Sequence, residues 1–167
     1  MPEGVTLRRA GAGDIPYLAE LALDSSVEPF LAPGAGDRLP SLVEVGGDGA
    51  EGMYVIELGG ERVGGLALQL VSEHSRICSL SGLMVDPEMR HGGIASAAVR
   101  LACRLAFDEH DLHRIQAEVY GDNVASQRLF ESVGFVREGM RRRAYWRREQ
   151  WLDGVLYGIV ADDLCNG

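Results

Sequence analysis

Three apolar runs of strand character follow one another through the middle of this chain, and the last ends in a glycine-broken turn that opens a helix. Met53 to Leu58 and Arg62 to Val71 are joined by Gly59-Gly60-Glu61, a connection that signals a hairpin, and Ile77 to Val85 forms the third run. After Asp86-Pro87 and a pair of glycines, Ile94, Ala98, Leu101, Ala102 and Leu105 recur at helical spacing, ending near Asp108. His113 to Tyr120 returns to strand. Asn123 to Val133 is helical with Gly134 as its stop, and Phe135 to Trp146 and Trp151 to Val160 read as two further strands. Ahead of all this, Val5 to Arg9 alternates as a strand, and Asp14 is placed to cap a helix with Pro16 in its first turn and Tyr17, Leu18, Leu21 and Ala22 on one face. A run of antiparallel strands followed by strand, helix, strand and helix demands an α/β fold with a mixed central sheet and helices on both faces. No linker or repeat divides the pattern, so residues 1–167 are expected to form one domain.

Residues 25–52 break this regularity. Pro29, Pro33, Gly34, Gly36, Pro40, Gly46, Gly47, Gly49 and Gly52 interrupt every short apolar run, which predicts an irregular, mobile segment with about one helical turn. Long loops often carry function, so this is the candidate substrate lid; a tolerated insertion is the alternative. Sixteen arginines and no lysine stand against 25 acidic residues, a net charge of −9. Such a field opposes nonspecific binding to nucleic acid or a membrane surface, and an anionic partner must find a local basic patch. Cys78, Cys103 and Cys165 have neither disulfide-framework nor metal-ligand spacing, which predicts reduced thiols, a cytoplasmic setting and no metal. No apolar stretch reaches about 18 residues, and Met1-Pro2-Glu3-Gly4 does not begin a signal segment, so neither a membrane span nor signal-directed export is expected.

The segment richest in chemistry is Val85-Asp86-Pro87-Glu88-Met89-Arg90-His91-Gly92-Gly93-Ile94-Ala95-Ser96, between a strand and a helix. Glycines there let backbone amides approach an anion, and the first helical turn presents unpaired N–H groups, as a diphosphate cradle requires. The Walker lysine and the three-glycine dinucleotide spacing are both missing, which leaves nucleoside triphosphate and NAD readings weak. Arg90, Gly93 and Ala95 stand at the Arg-x-x-Gly-x-(Gly or Ala) spacing of a CoA-pyrophosphate loop. A second block, Asn123-Val124-Ala125-Ser126 running on to Gly134-Phe135, resembles the Asn-x-x-(Ala or Ser) helix of the same proteins. Together they resemble the GNAT superfamily of acyl-CoA-dependent N-acyltransferases. Glu138-Gly139, Arg141 and Trp151-Leu152-Asp153 are similar to its ribosomal-protein N-acetyltransferase branch.

The resemblance implies a mostly antiparallel sheet splayed at the CoA site, and attack of a primary amine on an acyl-CoA thioester, acetyl-CoA foremost, in a ternary complex. Backbone amides of Met84 and Val85 would hold the pantetheine and polarise the thioester, and Arg90, His91, Gly92, Gly93, Ile94, Ala95 and Ser96 would take the diphosphate. Asn123 would touch the CoA arm, cap its helix, or both. Ser126 is the candidate hydrogen-bond donor to the departing sulfur, because Phe130 stands where many relatives carry a tyrosine acid. The strand stretch Ile77 to Gly82 lacks the glutamate that relatives often place there, so Glu118, Glu73 and His74 are the candidate bases, with Glu118 on the strand beside the cleft.

Tyr145, Trp146 and Trp151 stand among Arg141, Arg142, Arg143, Arg147 and Arg148. This cluster reads as a salt-bridged hairpin at a dimer edge, or as a docking face for an acidic peptide or a CoA phosphate. Three functions are ranked in order: the acetyltransferase, a noncatalytic acyl-CoA-binding or protein-interaction module, and an RNA-associated factor using the arginine hairpin. The expected partners are an acyl-CoA and an amine, either a small molecule or a protein N-terminus, with a homodimer compatible with the pattern. Without lysine, only the N-terminal amine is open to stray self-acylation.

Overall fold

The computed structural model describes residues 2–45 and 48–164; Gly46, Gly47 and Cys165 lie outside the described residues. Seven strands form one sheet: β1 (Val5–Arg9), β2 (Gly52–Leu58), β3 (Glu61–Ser72), β4 (Ile77–Val85), β5 (Arg114–Tyr120), β6 (Val136–Arg147) and β7 (Gln150–Val160). Their spatial order is β1-β2-β3-β4-β5-β7-β6, and every neighbouring pair is antiparallel except β4–β5. Four helices flank it: α1 (Ile15–Ala22), α2 (Leu39–Glu44), α3 (Ile94–Arg104) and α4 (Val124–Val133).

Strand alternation explains why β2 and β3 are apolar almost throughout. Tyr54, Ile56, Leu66 and Leu68 pack with α3 and α4 on one face, whereas Met53, Val55 and Ala67 pack with Leu18, Leu21 and Leu39 of α1 and α2 on the other. The described residues of the 25–52 segment are more ordered than its prolines and glycines predict. Short 3-10 turns at Glu28–Phe30 and Ala35–Arg38 lead into α2, and Val27, Leu31 and Leu39 are buried against the α1 face. Widely spaced apolar anchors, invisible to a periodicity argument, hold this segment. The helix after the glycine turn ends close to Asp108 as its spacing predicts, its last turn widening into a π-helical turn over Leu105–Glu109.

Two irregularities shape the middle of the sheet. β4 and β5 pair only from Ile77↔Arg114 to Ser79↔Gln116 and then diverge, so Leu80–Val85 and Ala117–Tyr120 border an opening. Between the pairs Ala67↔Ser81 and Gly65↔Met84, β4 advances three residues while β3 advances two, a bulge with Gly82 at φ +62°. Opposite it, Gly64 has no room for a Cβ against the Met84 carbonyl, which explains a glycine within a buried strand. Asp14 sits at the N-terminus of α1 but does not cap it. Its carboxylate turns back to the Gly11 amide at 2.8 Å and to Arg8 at 2.7 and 2.9 Å, because a neighbouring guanidinium outcompetes a helix amide.

Candidate active site

The glycine turn is the first wall of the site. His91 (φ +67°) and Gly93 (φ +77°) both take left-handed backbone, and Gly93 is the N-cap of α3. The first amides of an eleven-residue helix therefore face a cavity lined by Val85, Arg90, His91, Gly93, Ile94, Ala95 and Ser96 on one side and Arg128 of α4 on the other. Gly92 lies in the same turn. Asp86 donates its amide to the Val63 carbonyl at 2.8 Å, so strand alternation turns the Val85 N–H away from β3 toward the opening, while Met84 is registered against Gly65. The residues present fit a diphosphate: orphan amides, two left-handed positions and a nearby guanidinium on Arg128. The Arg90 side chain reaches elsewhere, donating to the Ser26 carbonyl at 3.2 Å.

The second wall is a cleft at the β4–β5 opening. Leu80, Ser81, Gly82 and Leu83 of β4 face Glu118, Val119 and Tyr120 of β5, with Asn123, Ser126 and Phe130 from α4, Tyr145 from β6, and Phe30, Leu31 and Ala32 across the top. Asn123 caps α4 by accepting the Ser126 amide at 3.1 Å, which places the Ser126 side chain in the first turn, beside the cleft. Phe130 is buried and packs edge-on against Phe135. Glu118 accepts a hydrogen bond from the Tyr145 hydroxyl at 2.5 Å, and Arg141 Nε lies 3.7 Å from the same carboxylate oxygen. Glu73 and His74 sit in the exposed β3–β4 turn, at the far end of β4 from the cradle and outside this cleft.

Between Arg141↔Gly154 and Tyr145↔Leu152, β6 advances four residues while β7 advances two. This bulge is fixed by Arg143 at φ +48°, whose amide donates to Asp153 at 2.7 Å. A turn with Arg148 and Glu149 both left-handed, as a type I′ turn requires, then closes the hairpin. Two arginines at the turn are paired: Arg147 donates to the Glu28 carbonyl at 3.2 Å and carboxylate at 3.0 Å, and Arg148 to Asp122 at 2.8 Å while lying over the Phe30 ring. The hairpin thus holds residues 28–30 over the cleft.

The model of the acetyltransferase (GNAT) family matches residues 15–135. The chain belongs to this family. Among curated relatives of this GNAT protein, the probable N-acetyltransferase YjcK of Bacillus subtilis strain 168 is 37% identical over 82 residues, 49% of this chain and 45% of the relative. The uncharacterized N-acetyltransferase YnaD of the same strain is 29% identical over 82 residues, 49% of this chain and 48% of the relative. The chain therefore spans about half the length of these curated relatives. Whole-fold likeness is broader. A Vibrio cholerae spermidine N-acetyltransferase solved with CoA and spermine superposes at TM-score 0.84 with 23% identity, covering 96% of this chain and 97% of that one. A Vibrio fischeri ribosomal-protein-S5-alanine acetyltransferase superposes at 0.82 with 21% identity, covering 99% and 98%. At these identities the likeness concerns the fold, a mostly antiparallel open sheet with helices on both faces.

Sequence reasoning missed four contributors to this GNAT site. Tyr145 reads as part of an aromatic cluster until the β6 bulge brings it to the cleft. Arg128 looks like an ordinary polar helix residue, and Phe30 to Ala32 lie in a stretch without periodicity. Gly154 carries the least signal: a Cβ there would overlap Oε2 of Glu118, so its missing side chain is what lets the carboxylate occupy the cleft. Among the described residues no group of His, Cys, Asp and Glu could hold a metal ion, and no helix is long and apolar enough to cross a membrane.

Proposed function

We propose that this GNAT protein is an acyl-CoA-dependent N-acyltransferase, moving a small acyl group, acetyl foremost, to a primary amine in a ternary complex. The single observation that carries the reading is that one opening, between β4 and β5, has the first turn of α3 at one end and the Glu118 carboxylate, hydrogen-bonded by Tyr145, at the other. The Val85 amide and the first turn of α3 would hold acyl-CoA, which supplies the activated thioester. Glu118 accepts the proton as the amine nitrogen bonds to the carbonyl carbon, and Ser126 donates a hydrogen bond to the sulfur as the C–S bond breaks. No enzyme-bound acyl intermediate is needed, since the cleft brings both reactants together. Met84 lends its strand to this wall, and Asn123 fixes the helix turn that aims Ser126.

The same reading places the chain, as a single domain, in the cytoplasm. There the buried, unbridged Cys78 and Cys103 stay reduced, their thiols pushed up to about 12 by burial. β6 is one of the two edge strands of the sheet and exposes Val136 and Met140, which supports homodimer pairing along that edge; light scattering across a concentration series tests it. The deciding experiment for the activity is thiol release from acetyl-CoA across a panel of primary amines. Amine-dependent release is the expected result. CoA binding with no amine accelerating release would mark a noncatalytic binding module instead.

A further inference from the structure

A second cavity, of 140 Å³, lies on the α1/α2 face of the sheet, walled by Leu31, Leu39, Leu42, Met53, Ala67 and Met84. It meets the cleft at Leu31, Ala32, Ser81 and Gly82, which line both spaces. Gly82 is the β4 bulge, so the cavity opens beside the strand segment that would hold the thioester.

We infer that this cavity is an acyl-chain pocket, built to take the hydrocarbon tail of acyl groups of about four to six carbons. The inference rests on the acyltransferase reading above. Chemistry sorts the two reactants between the two spaces. Among the described residues, the polar side chains lining the cavity are Arg38, Gln69 and Ser81 and none is a carboxylate, so a cationic acceptor finds no counter-charge from them. Glu118, across the β4–β5 opening, supplies that charge in the cleft. An uncharged chain on the β4 side has the opposite preference. A cavity of about 150 Å³ with an apolar lining accepts a guest the size of benzene, so this space suits a chain of four to six carbons. An acetyl group would reach only its mouth.

Isothermal titration of the full chain with acetyl-, propionyl-, butyryl-, hexanoyl-, octanoyl- and succinyl-CoA tests this without an acceptor. Each methylene taken from water tightens binding about fourfold, so butyryl-CoA should bind roughly fifteenfold more tightly than acetyl-CoA, with no further gain beyond hexanoyl. Ala35→Phe, which fills the cavity from its rim, should bring butyryl-CoA to within twofold of acetyl-CoA while leaving acetyl-CoA unchanged. Leu42→Ala should move the optimum to longer chains. Equal affinity for acetyl- and butyryl-CoA in the wild-type protein overturns the pocket alone. Succinyl-CoA binding more tightly than butyryl-CoA also overturns it, in favour of a carboxylate on Arg38. Failure to bind any CoA species overturns the acyltransferase reading and the pocket with it.

Discussion

The Tyr145 hydroxyl donates a 2.5 Å hydrogen bond to Oε2 of Glu118, joining the bulged part of β6 to the diverging end of β5. Burial, then the bond to Glu118 and its charge, push the Tyr145 phenol up to about 12. The hydroxyl therefore stays protonated at neutral pH and can serve Glu118 only as a donor. It orients the carboxylate toward a cleft in which Phe130 has no proton to give. Under the proposed acyl transfer, Ser126 on α4 and Glu118 on β5, which line the same cleft, would divide between them the two ends of the reaction.

If Glu118 is the base, Glu118→Gln should lower the amine-dependent kcat at least about 100-fold while CoA affinity stays within twofold. Tyr145→Phe should cost about tenfold in kcat, since the carboxylate loses the donor that fixes its rotamer but not its charge. Steady-state thiol release with a titration of CoA binding separates the two effects. Glu118→Gln activity within threefold of wild type would assign deprotonation to water.

Gly154→Ala should act through Glu118 without touching substrate. The new Cβ would overlap Oε2 and come within 2.7 Å of Tyr145 Cε2, forcing the two side chains from their places. Overpacking of this kind costs about 1–3 kcal/mol, so the variant should fold, yet kcat should fall at least tenfold. Added to Glu118→Gln, the substitution should cost little more, because both remove the same carboxylate. Comparing the single and double variants by kcat and by denaturant midpoint checks this.

These relationships mark where the sequence was legible. Strand and helix order, the stop at Gly134, the glycine cradle and the Asn123 cap are local patterns, each written within a few residues of where it acts. What escaped depends on residues distant in the chain. Asp14 prefers Arg8 and Gly11 to its expected helix cap, Tyr145 is brought to the cleft by a bulge that alternation does not predict, and Val27, Leu31 and Leu39 anchor a stretch that composition describes as mobile. The arginine-rich hairpin was open to several readings, and its ion pairs at Arg141, Arg147 and Arg148, with the result that it holds residues 28–30 in place, depend on partners far along the chain.

Ser126 and Asn123 should separate chemistry from stability. Ser126→Ala removes a donor to a developing thiolate, and a hydrogen bond to a charged group is worth about 1.5–3 kcal/mol, so kcat should fall roughly 10- to 100-fold with the melting temperature unchanged. Asn123→Ala removes the cap on the Ser126 amide and should cost about 1 kcal/mol of stability, whereas Asn123→Asp, itself a good cap, should not. Unchanged kcat in Ser126→Ala would leave the serine as a packing residue.

Asp14 gives the fold an acid limit. Its carboxylate is buried and held far below the usual range, chiefly by the hydrogen bonds from Arg8, with the Gly11 amide and Arg62 adding to the effect. Because the folded pKa lies below the unfolded value of about 3.9, the stabilisation is fully present above that value and is lost as pH falls beneath it. Arg8 is itself 41% solvent-exposed, so the pair is screened and its removal should cost about 2 kcal/mol rather than the larger penalty of a fully buried pair. Asp14→Asn should therefore melt about 4–8 °C below wild type at pH 7, a gap that holds down to about pH 5 and closes as pH is lowered toward 2. Calorimetry of both proteins across that range measures it. A gap that did not narrow in acid would assign the loss to packing at the Asn side chain instead of to the ion pair.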